Sequence, residues 1–369
     1  MRFGTMQTPS HPPHRSLYDG HYHNLDYLKF LDGIGVYEAW IGSHYTVVSE
    51  PQGPNDLLIA QGFAQTKNIR LNPGAFIVPF FHPAELAHRI AWLDHISGGR
   101  MTVGMGASGV PSDLDMIGVD FRTSQNREMV EESIHMMRSL WASTEPMEIV
   151  GKFWTIRHPK PFIDGRLRFH MRPLQQPHPP FAISGGSPNS PTLKLAGKLG
   201  MSPMSFCFST EFIRSHWDSV VEGAETAQRE PPPKSEWRLV RETVVAETDE
   251  EAMDFAINGP MGQHYARFYL PMLKDSGLLK SVKHHPDVAD SDVTIEYLAK
   301  NTWTVGSEAT VSEKLEELHD KAGGFGVLLA NSYDHVDYME QWRSSIVALN
   351  DRIIPKLTEK LDAAQPVAA

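Results

Sequence analysis

The chain has 369 residues, of which 41% are hydrophobic and 21% are charged, the composition of an ordinary globular protein. Asp and Glu outnumber Lys and Arg by 45 to 34, and the resulting net charge of −11 argues against a nucleic-acid partner or a basic membrane patch. Cys207 is the single cysteine, which excludes a disulfide framework and a cysteine-based metal site.

The length fits either one large α/β domain or two smaller ones. The sequence contains no apolar run of about 18 residues, the length that a membrane helix needs. The first residues, Met1–Gly4, lead into a strand pattern and lack the apolar core of a signal peptide. We therefore expect a cytoplasmic protein.

The first elements in chain order are a strand at Arg2–Gln7, a loop at Thr8–Asn24 and a short helix at Asp26–Asp32. The loop is rich in His and Pro, and a loop of this length is more often functional than inert. Its histidine spacings match no helical ligand pair, so we predict no metal site.

Nearly continuous apolar runs then alternate with segments that carry a helical apolar stripe. The further predicted strands are Gly35–Gly42, Leu71–Val78, Met101–Gly106, Phe181–Ser184, Met201–Phe206, Trp237–Ala246, Trp303–Ser307 and Phe325–Leu329. The further predicted helices are one capped by Asn55, then Ala84–Ile96, Thr123–Ala142, Ser190–Lys198, Thr210–Gln228, one that starts at Asp249, Glu308–Ala322 and His335–Ile354. Strands of this kind are typical of a parallel sheet covered by helices on its outer face.

Two segments interrupt the alternation. Glu148–Pro180 contains a small hairpin around Val150–Trp154 and a proline-rich excursion. Residues 258–302 fit no β/α unit, and we expect them to form an insertion that packs over the active face. We predict one domain over residues 1–360 and a flexible tail at 361–369.

The pattern predicts an α/β fold, a (β/α)8 TIM barrel with an insertion before the last β/α unit. An open doubly wound sheet is the alternative. No strand is followed by a Gly-x-Gly-x-x-Gly turn of the dinucleotide-binding type, because the nearest match, Gly104–Gly109, lies on a strand and leads into a loop.

The active face of a barrel lies at the carboxyl ends of its strands. The residues predicted there include no carboxylate pair and no serine–histidine–aspartate signature, and they favour a large planar cofactor that carries out the chemistry. Ser184–Asn189 is a candidate phosphate loop, because its glycines, hydroxyls and following helix all favour an anion; an ordinary serine-capped turn is the alternative. His44 stands alone, either as a catalytic group or as a structural histidine.

Eight short segments occur in one order along nearly the whole chain, and the run from Leu93 to Arg100 (Leu-Asp-His-Ile-Ser-Gly-Gly-Arg) is the most specific of them. The others are Arg2–Gly4, Gly35–His44, His82–Pro83, Val103–Gly106, Gly151–Trp154, Ile183–Pro188 and Val305–Ser307. Together they resemble the bacterial luciferase-like flavin-dependent monooxygenase family, in its FMN-using two-component branch.

The resemblance implies an enzyme that receives reduced FMN from a separate flavin reductase and uses O2 as co-substrate. Oxygen adds to the flavin to give a C4a-peroxyflavin, which oxygenates a small apolar organic substrate. His44 matches the family histidine beside the flavin, a candidate general base or peroxide stabiliser. A non-proline cis peptide is expected at Gly74–Phe76, and a homodimer through helices near the second and third strands is expected by analogy.

The predicted site residues fall into two further groups. The expected cofactor-binding residues are Met6, Ala75, Gly106, Ser108, Ser184, Gly185, Gly186 and Ser187. The expected substrate pocket is formed by Tyr45, Phe76, Phe80, Phe81, Phe206 and Phe208. The apolar character of these walls indicates an apolar substrate.

The sequence departs from the family pattern after the fourth strand, where luciferases carry an arginine for the phosphate and this chain has Ala107-Ser108. We therefore expect a helix end and hydroxyls to hold the phosphate. Two other functions stay open: hydride transfer with the deazaflavin F420 in a second branch of the superfamily, and flavin binding without catalysis.

Overall fold

The first and last strands of the sheet pair with each other, so the sheet closes into a barrel. In the computed structural model, which describes residues 1–364, Arg2–Gln7 lies in parallel register with Val327–Ser332 on one side and with Glu38–Ile41 on the other. The remaining neighbours in the barrel are also parallel. Arg70–Pro73 and Phe76–Ile77 share the third position and complete the ring, since the first pairs with Glu38–Ile41 and the second with Val103–Gly106. The sheet therefore has eight strand positions, and the predicted (β/α)8 barrel is confirmed.

The strands are β1 (Arg2–Gln7), β2 (Glu38–Ile41), β3 (Arg70–Pro73), β4 (Phe76–Ile77), β5 (Val103–Gly106), β6 (Met147–Val150), β7 (Thr155–His158), β8 (Phe181–Gly185), β9 (Ser202–Phe206), β10 (Arg238–Arg241), β11 (Thr243–Val245), β12 (Thr304–Gly306) and β13 (Val327–Ser332). The α-helices are α1 (Leu17–Gly33), α2 (Asn55–Gln65), α3 (Pro83–Ser97), α4 (Pro111–Asp115), α5 (Gln125–Ala142), α6 (Pro191–Leu199), α7 (Ile213–Thr226), α8 (Asp249–Asn258), α9 (Pro260–His264), α10 (Leu270–Asp275), α11 (Ile295–Asn301), α12 (Glu308–Ala322), α13 (Met339–Val347) and α14 (Ile354–Ala364).

The third barrel strand is divided in two. Its first part, β3, pairs with β2, and its second part, β4, pairs with β5. The peptide bond between Gly74 and Ala75, at the break, is cis, as the family resemblance predicted.

The interior of the barrel is closed at its amino-terminal end by a buried ion pair. Nε of Arg238 lies 2.8 Å from Oε1 of Glu38, and both side chains are almost fully inaccessible to solvent. The indole nitrogen of Trp40 donates to the same carboxylate at 2.9 Å. Further along the axis, Met6, Trp40, Met204, Val240 and Leu329 pack together. The interior of the barrel is therefore filled with side chains at this end and along its middle.

The amino-terminal region differs from the prediction, because helix α1 begins at Leu17 inside the segment predicted as a loop. The Ser16 hydroxyl accepts a hydrogen bond from the backbone N–H of Asp19 at 3.0 Å and so caps the helix. The buried face of this helix includes His23 and Asn24, polar residues that hide the apolar period from sequence analysis.

Asn55 does not cap α2 as predicted but is its first residue. Its side-chain amide donates to the carbonyl oxygens of Ile41 at 2.8 Å and Ala75 at 3.2 Å. It therefore ties the end of β2 to the broken third strand.

The predicted strand around Trp303–Ser307 forms, as β12, but it lies outside the barrel. Its partner is β11, the continuation of the seventh barrel strand beyond Glu242. The hairpin predicted around Val150–Trp154 also forms, since β6 and β7 are antiparallel.

The segment at 258–302 consists of short helices, a π-helical turn at Tyr265–Tyr269 and the loops between them. At the carboxyl end, α14 extends to Ala364, so the first four residues of the predicted tail, 361–364, are helical. Residues 365–369 lie outside the described residues. No helix within residues 1–364 is both long and apolar enough to cross a membrane.

Candidate active site

A cavity of about 360 Å³ opens at the carboxyl-terminal end of the barrel. Its wall is formed by residues at or just after the carboxyl ends of six barrel strands and by part of the segment at 258–302. It includes the predicted site residues His44, Met6, Ala75, Gly106, Ser108, Ser184, Gly185, Gly186, Phe206 and Phe208. The barrel topology therefore brings together residues that are up to about two hundred positions apart.

Five predicted site residues lie outside the wall of this cavity: Ser187, Tyr45, Phe76, Phe80 and Phe81. Phe76 points away from the cavity into the layer between barrel and helices, where its ring contacts Phe81 edge-on at 5.7 Å. Tyr45 stacks on Phe80 at 4.1 Å. Successive side chains of a strand point to opposite faces, so Phe76 points away from the cavity whereas its neighbours Ala75 and Ile77 line it.

His44 lies between two carboxylates at one side of the cavity. Its Nε2 is 3.1 Å from Oε2 of Glu50, and its Nδ1 is 3.5 Å from Oδ2 of Asp113. Both carboxylates are fully buried, whereas 26% of the His44 side chain is exposed. The prediction that this face lacks a carboxylate pair was wrong, because Glu50 comes from the loop after β2 and Asp113 from the short helix α4, both beyond the strand ends that were considered.

This arrangement favours the charged form of the imidazole. Burial alone lowers the pKa of His44, but Asp113 and Glu50 together outweigh burial and raise the pKa above its ordinary value. Asp113 also accepts hydrogen bonds from the Thr46 N–H at 2.8 Å and from its hydroxyl. Burial raises the pKa of Asp113, but His44 and Thr46 hold it below its ordinary value. The two carboxylates therefore favour the protonated form of the His44 imidazole.

A network of buried polar groups continues behind Glu50. His264 Nε2 lies 2.7 Å from Oε1 of Glu50, so this carboxylate faces two histidines. A further buried acid, Glu242, accepts hydrogen bonds from the hydroxyls of Tyr265 and Tyr333, each at 2.9 Å. Burial, and then the charge of Glu242, raises the pKa of both tyrosines well above the ordinary value. These phenols stay protonated and act as fixed donors.

The opposite end of the cavity is suited to an anion. Ser184, Gly185 and Gly186 lie at the end of β8, next to the amino terminus of α6, where Ser190 caps the helix by accepting from the Leu193 N–H at 3.4 Å. Arg127, near the start of α5, lines the same end of the cavity. We expected hydroxyls and a helix end without a guanidinium, whereas the structure places the Arg127 side chain in the cavity wall.

Glycines keep this end of the cavity open. A Cβ on Gly186 would lie 3.1 Å from Cε2 of Phe208 and 3.3 Å from Cβ of Phe206, and one on Gly106 would lie 3.1 Å from Cβ of Ala75. The remaining wall is apolar and includes Phe206, Phe208, Phe268 and Met272. The cavity therefore has one end that is suited to an anionic ligand, one side that is formed by His44, and large apolar surfaces between them.

Sequence reasoning missed Glu50, Asp113, Arg127, Tyr269 and Phe268. None of these residues stands in a recognisable motif. Asp113 reaches His44 from α4, Phe268 and Tyr269 lie in the π-helical turn, and Glu50 and Arg127 line the cavity from a loop and from the start of α5. Within the described part of the chain, no group of three or more His, Cys, Asp or Glu side chains is placed to hold a metal ion.

The family model for luciferase-like monooxygenases matches residues 1–323. The chain belongs to the luciferase-like monooxygenase family. The matched segment contains every barrel strand except β13 and every residue that lines the cavity.

Two relatives of this luciferase-like chain come from Pseudomonas putida. The 3,6-diketocamphane 1,6-monooxygenase is 29% identical over 343 residues, 88% of this chain and 90% of the relative. The 2,5-diketocamphane 1,2-monooxygenase 1 is 29% identical over 363 residues, 97% of this chain and 99% of the relative.

A solved structure is also similar to this luciferase-like chain over nearly its full length. It is the oxygenating constituent of 3,6-diketocamphane monooxygenase from the CAM plasmid of Pseudomonas putida, a type II Baeyer-Villiger monooxygenase in complex with FMN. The TM-score is 0.89 at 30% identity, with 96% of this chain and 98% of that chain covered.

Proposed function

We propose that this protein is an FMN-dependent monooxygenase that uses reduced FMN and O2 to oxygenate a small apolar organic substrate. The observation that carries the proposal is the single cavity wall that joins Arg127 and the Ser184–Gly186 loop to His44 and to several phenylalanines. A similar chain in solved form holds FMN. The diketocamphane monooxygenases among the relatives act on bicyclic ketones by their names, and we extend that substrate class to this enzyme.

The residues of the cavity fit FMN. Arg127, the hydroxyl of Ser184 and the backbone N–H groups of Gly185 and Gly186 are the donors that a phosphate needs. Met6, Ala75 and Gly106 provide a flat, small-residue surface for a planar ring system, and a Cβ on Gly106 would narrow it. When bound, reduced FMN supplies the electrons with which O2 is activated, so that one oxygen atom enters the substrate.

His44 is the proposed catalytic residue. Because its pKa is raised, it holds protons at both ring nitrogens over a wider pH range than a free histidine does. A cationic donor next to the ring stabilises negative charge on oxygen and can deliver a proton to it. Of the two roles that the family resemblance implied, this favours stabilisation over general base catalysis.

The apolar walls of the cavity indicate which substrate it accepts and how water is kept away from the reaction. Phe206 and Phe208 have nearly parallel rings 6.0 Å apart, and Phe268 and Met272 face the same cavity from the segment at 258–302. We assign this segment as the cover of the active face. Its side chains would exclude water from the bound flavin and leave room for a compact, uncharged ring compound.

The proposed partners are a flavin reductase, which supplies reduced FMN, and a second copy of the chain. The outer surface of α2 and α3 exposes three large apolar side chains: Leu57 is 57% exposed, Trp92 56% and Ile96 42%. An apolar surface of this kind is typical of an interface. We therefore assign it to a homodimer, and light scattering of the wild type and of Trp92→Ser would measure the change in mass.

The test of the proposed function is turnover with FMN, NADH, a generic flavin reductase and a panel of bicyclic and monocyclic ketones. We expect an oxygenated product that contains one atom from labelled O2 and that disappears under nitrogen. The control is His44→Asn, which should still bind FMN but lose most of the product.

Three outcomes would contradict the proposal. Tight FMN binding without product from any ketone, and without effect of His44→Asn, would indicate a flavin-binding protein. Reduction or oxidation of F420 with an alcohol substrate, in the absence of FMN turnover, would indicate hydride transfer. Failure to bind FMN at all would remove the cofactor assignment.

A further inference from the structure

A second cavity, of about 340 Å³, lies between the barrel and helix α12. It shares no residue with the cavity proposed to hold FMN. The two are separated by the segment at 207–210, in which Phe208 faces the flavin cavity and Thr210 faces this one. We call it the basic cavity, because Arg241, Lys300, Lys314 and Lys321 all line it.

Arg241 is the most unusual group in the basic cavity. Val240, its neighbour on β10, points into the barrel, so Arg241 points outward towards the helices. Only 5% of Arg241 is exposed. Its guanidinium donates to the carbonyl oxygen of Cys207 at 2.7 Å and to the hydroxyls of Thr304 and Thr210 at 3.2 and 3.3 Å.

None of these acceptors is charged, and among the described residues no carboxylate lies within ion-pair distance of Arg241. Burial of a charge without a counterion costs free energy of folding. Proteins usually pair such a charge with an opposite one or place it where a bound ligand can supply the opposite charge. The neutral acceptors orient the guanidinium, and the adjacent buried carboxylate, Glu242, is directed to Tyr265 and Tyr333 and forms no ion pair with it.

The other charges of the basic cavity do not supply the missing counterion. Lys321 pairs with Glu317 on the same helix, one turn away. Lys314 donates to the carbonyl oxygen of Val305 at 2.9 Å. Glu211 is the second carboxylate at this wall. Four cations and two carboxylates leave two positive charges, in a protein whose net charge is −11.

Lys314 is a second, partly buried cation at this wall, and it lies close enough to Arg241 to be affected by its charge. Burial, and secondly the nearby Arg241 guanidinium, lowers the pKa of Lys314, whereas Asp249 and Glu317 raise it more weakly. The Asp249 carboxylate accepts hydrogen bonds from the Ser307 N–H and the Thr310 hydroxyl, so it points towards these two groups. An anion between Lys314 and Arg241 would remove the repulsion between the two cations.

We infer that the basic cavity is a second anion-binding site, which takes a phosphate dianion, either inorganic phosphate or the phosphate of a small monoester. Two uncompensated positive charges match one dianion. The planar guanidinium of Arg241 and the hydroxyls of Thr210 and Thr304 are donors suited to phosphate oxygens. The volume exceeds that of the anion, so the organic part of a monoester would also fit.

The test is isothermal titration calorimetry of the FMN-saturated protein with sodium phosphate, at an ionic strength held constant with NaCl. Saturation with FMN fills the first phosphate site, so any remaining binding belongs to the second. We expect one phosphate per chain. A parallel titration with glycerol 3-phosphate separates the two sources, since tighter binding of the ester indicates a monoester ligand and binding of inorganic phosphate alone indicates free phosphate.

Lys300→Gln and Lys314→Gln are the test variants, and each should raise the phosphate Kd at least tenfold. Lys280→Gln, an exposed lysine of the same inserted segment, is the matched control and should leave the Kd unchanged. In the Arg127→Gln variant without FMN the second site should still bind phosphate, so the inference is tested independently of the flavin proposal. Absence of binding to the FMN-saturated protein, or binding that both lysine variants leave intact, would overturn it.

Discussion

The Nε2 atom of His44 lies 3.1 Å from Oε2 of Glu50, and the other oxygen of the same carboxylate lies 2.7 Å from Nε2 of His264. Glu50 is fully buried, so one carboxylate fixes two imidazoles, one at the cavity wall and one behind it. The position and charge of the proposed catalytic histidine therefore depend on a residue six places along the chain.

Replacement of Glu50 by Gln should lower the pKa of His44, because the raised pKa rests on the charges of Asp113 and Glu50 working against burial. Cationic His44 would then be present only at lower pH, and the pH at which activity is half lost on the alkaline side should fall. NMR titration of the His44 ring and the pH profile of turnover should move together. An unchanged titration would contradict the electrostatic coupling; Glu247→Gln, on the surface, is the control.

Replacement of Arg127 by Gln should weaken FMN binding. A hydrogen bond to a charged group contributes roughly 1.5–3 kcal/mol, so the Kd should rise about 10- to 100-fold. Riboflavin lacks the phosphate, and its binding should be little affected by the same change. Fluorescence titration with both flavins would measure the difference.

The control for that prediction is Arg122→Gln, because Arg122 precedes the same helix and 89% of its side chain is exposed. It should bind FMN as the wild type does. Equal weakening of FMN and riboflavin binding by Arg127→Gln would indicate a distorted cavity instead of a lost phosphate contact.

Removal of one partner of the buried pair Arg238–Glu38 should destabilise the barrel strongly. Arg238→Met leaves the Glu38 carboxylate at 0% exposure without its cation, and breaking such a pair costs about 3–5 kcal/mol in free energy of unfolding. Urea denaturation would measure it. The double variant Arg238→Met with Glu38→Gln should recover part of the loss, because no buried charge is left. A loss below about 1 kcal/mol in the single variant would contradict the assignment.

Gly104→Ala should destabilise the fold, whereas Gly33→Ala should not. A Cβ on Gly104 would lie 2.2 Å from the carbonyl oxygen of Pro73, a backbone atom at the break in the third strand, and overpacking of this kind costs about 1–3 kcal/mol. Gly33, at the end of α1, has open space and an ordinary φ, so its replacement should be neutral or slightly stabilising. Thermal unfolding of the two variants side by side would measure the contrast, and equal melting temperatures would contradict it.

The stability of the protein should fall as the pH drops from about 6.5 to 4. Burial lowers the pKa of His335 to about 3 and that of His23 to about 4, so both stay neutral in the folded state. The unfolded chain, with ordinary histidine pKa values near 6.5, binds these protons first. Each such histidine therefore removes up to about 1.4 kcal/mol per pH unit in this window.

The variant His335→Phe keeps an aromatic ring and should reduce that slope, measured as free energy of unfolding at pH 7, 6 and 5. His135→Gln, whose side chain is 60% exposed, should leave the slope unchanged. Asp334 acts in a different window, because its pKa is about 2 and its contribution is lost only below its ordinary value of 3.8. An unaltered slope in His335→Phe would contradict the neutral, buried state of this ring.

The barrel, and the places of the Ser-Gly-Gly turn and of His44 at its carboxyl-terminal end, could be predicted from the sequence because each is encoded locally. Nearly continuous apolar runs such as Phe325–Leu329 mark buried parallel strands, and the Ser-Gly-Gly turn at the end of β8 owes its donors to its own residues. His44 was singled out because it lies just beyond the predicted strand Gly35–Gly42. Phe76 was assigned to the pocket because pleat direction cannot be read from a strand that breaks at its neighbour.

The charges around the site were decided by tertiary structure alone. Glu50, Asp113 and Arg127 lie in segments with no motif, and each becomes functional only because a loop or helix start returns to the same end of the barrel. Arg241 is equally unremarkable in sequence, and its lack of a carboxylate partner follows from which residues pack around it. Sequence periodicity determines which residues are buried, whereas long-range packing determines which charges meet, because Coulomb interactions depend on distances in space and not along the chain.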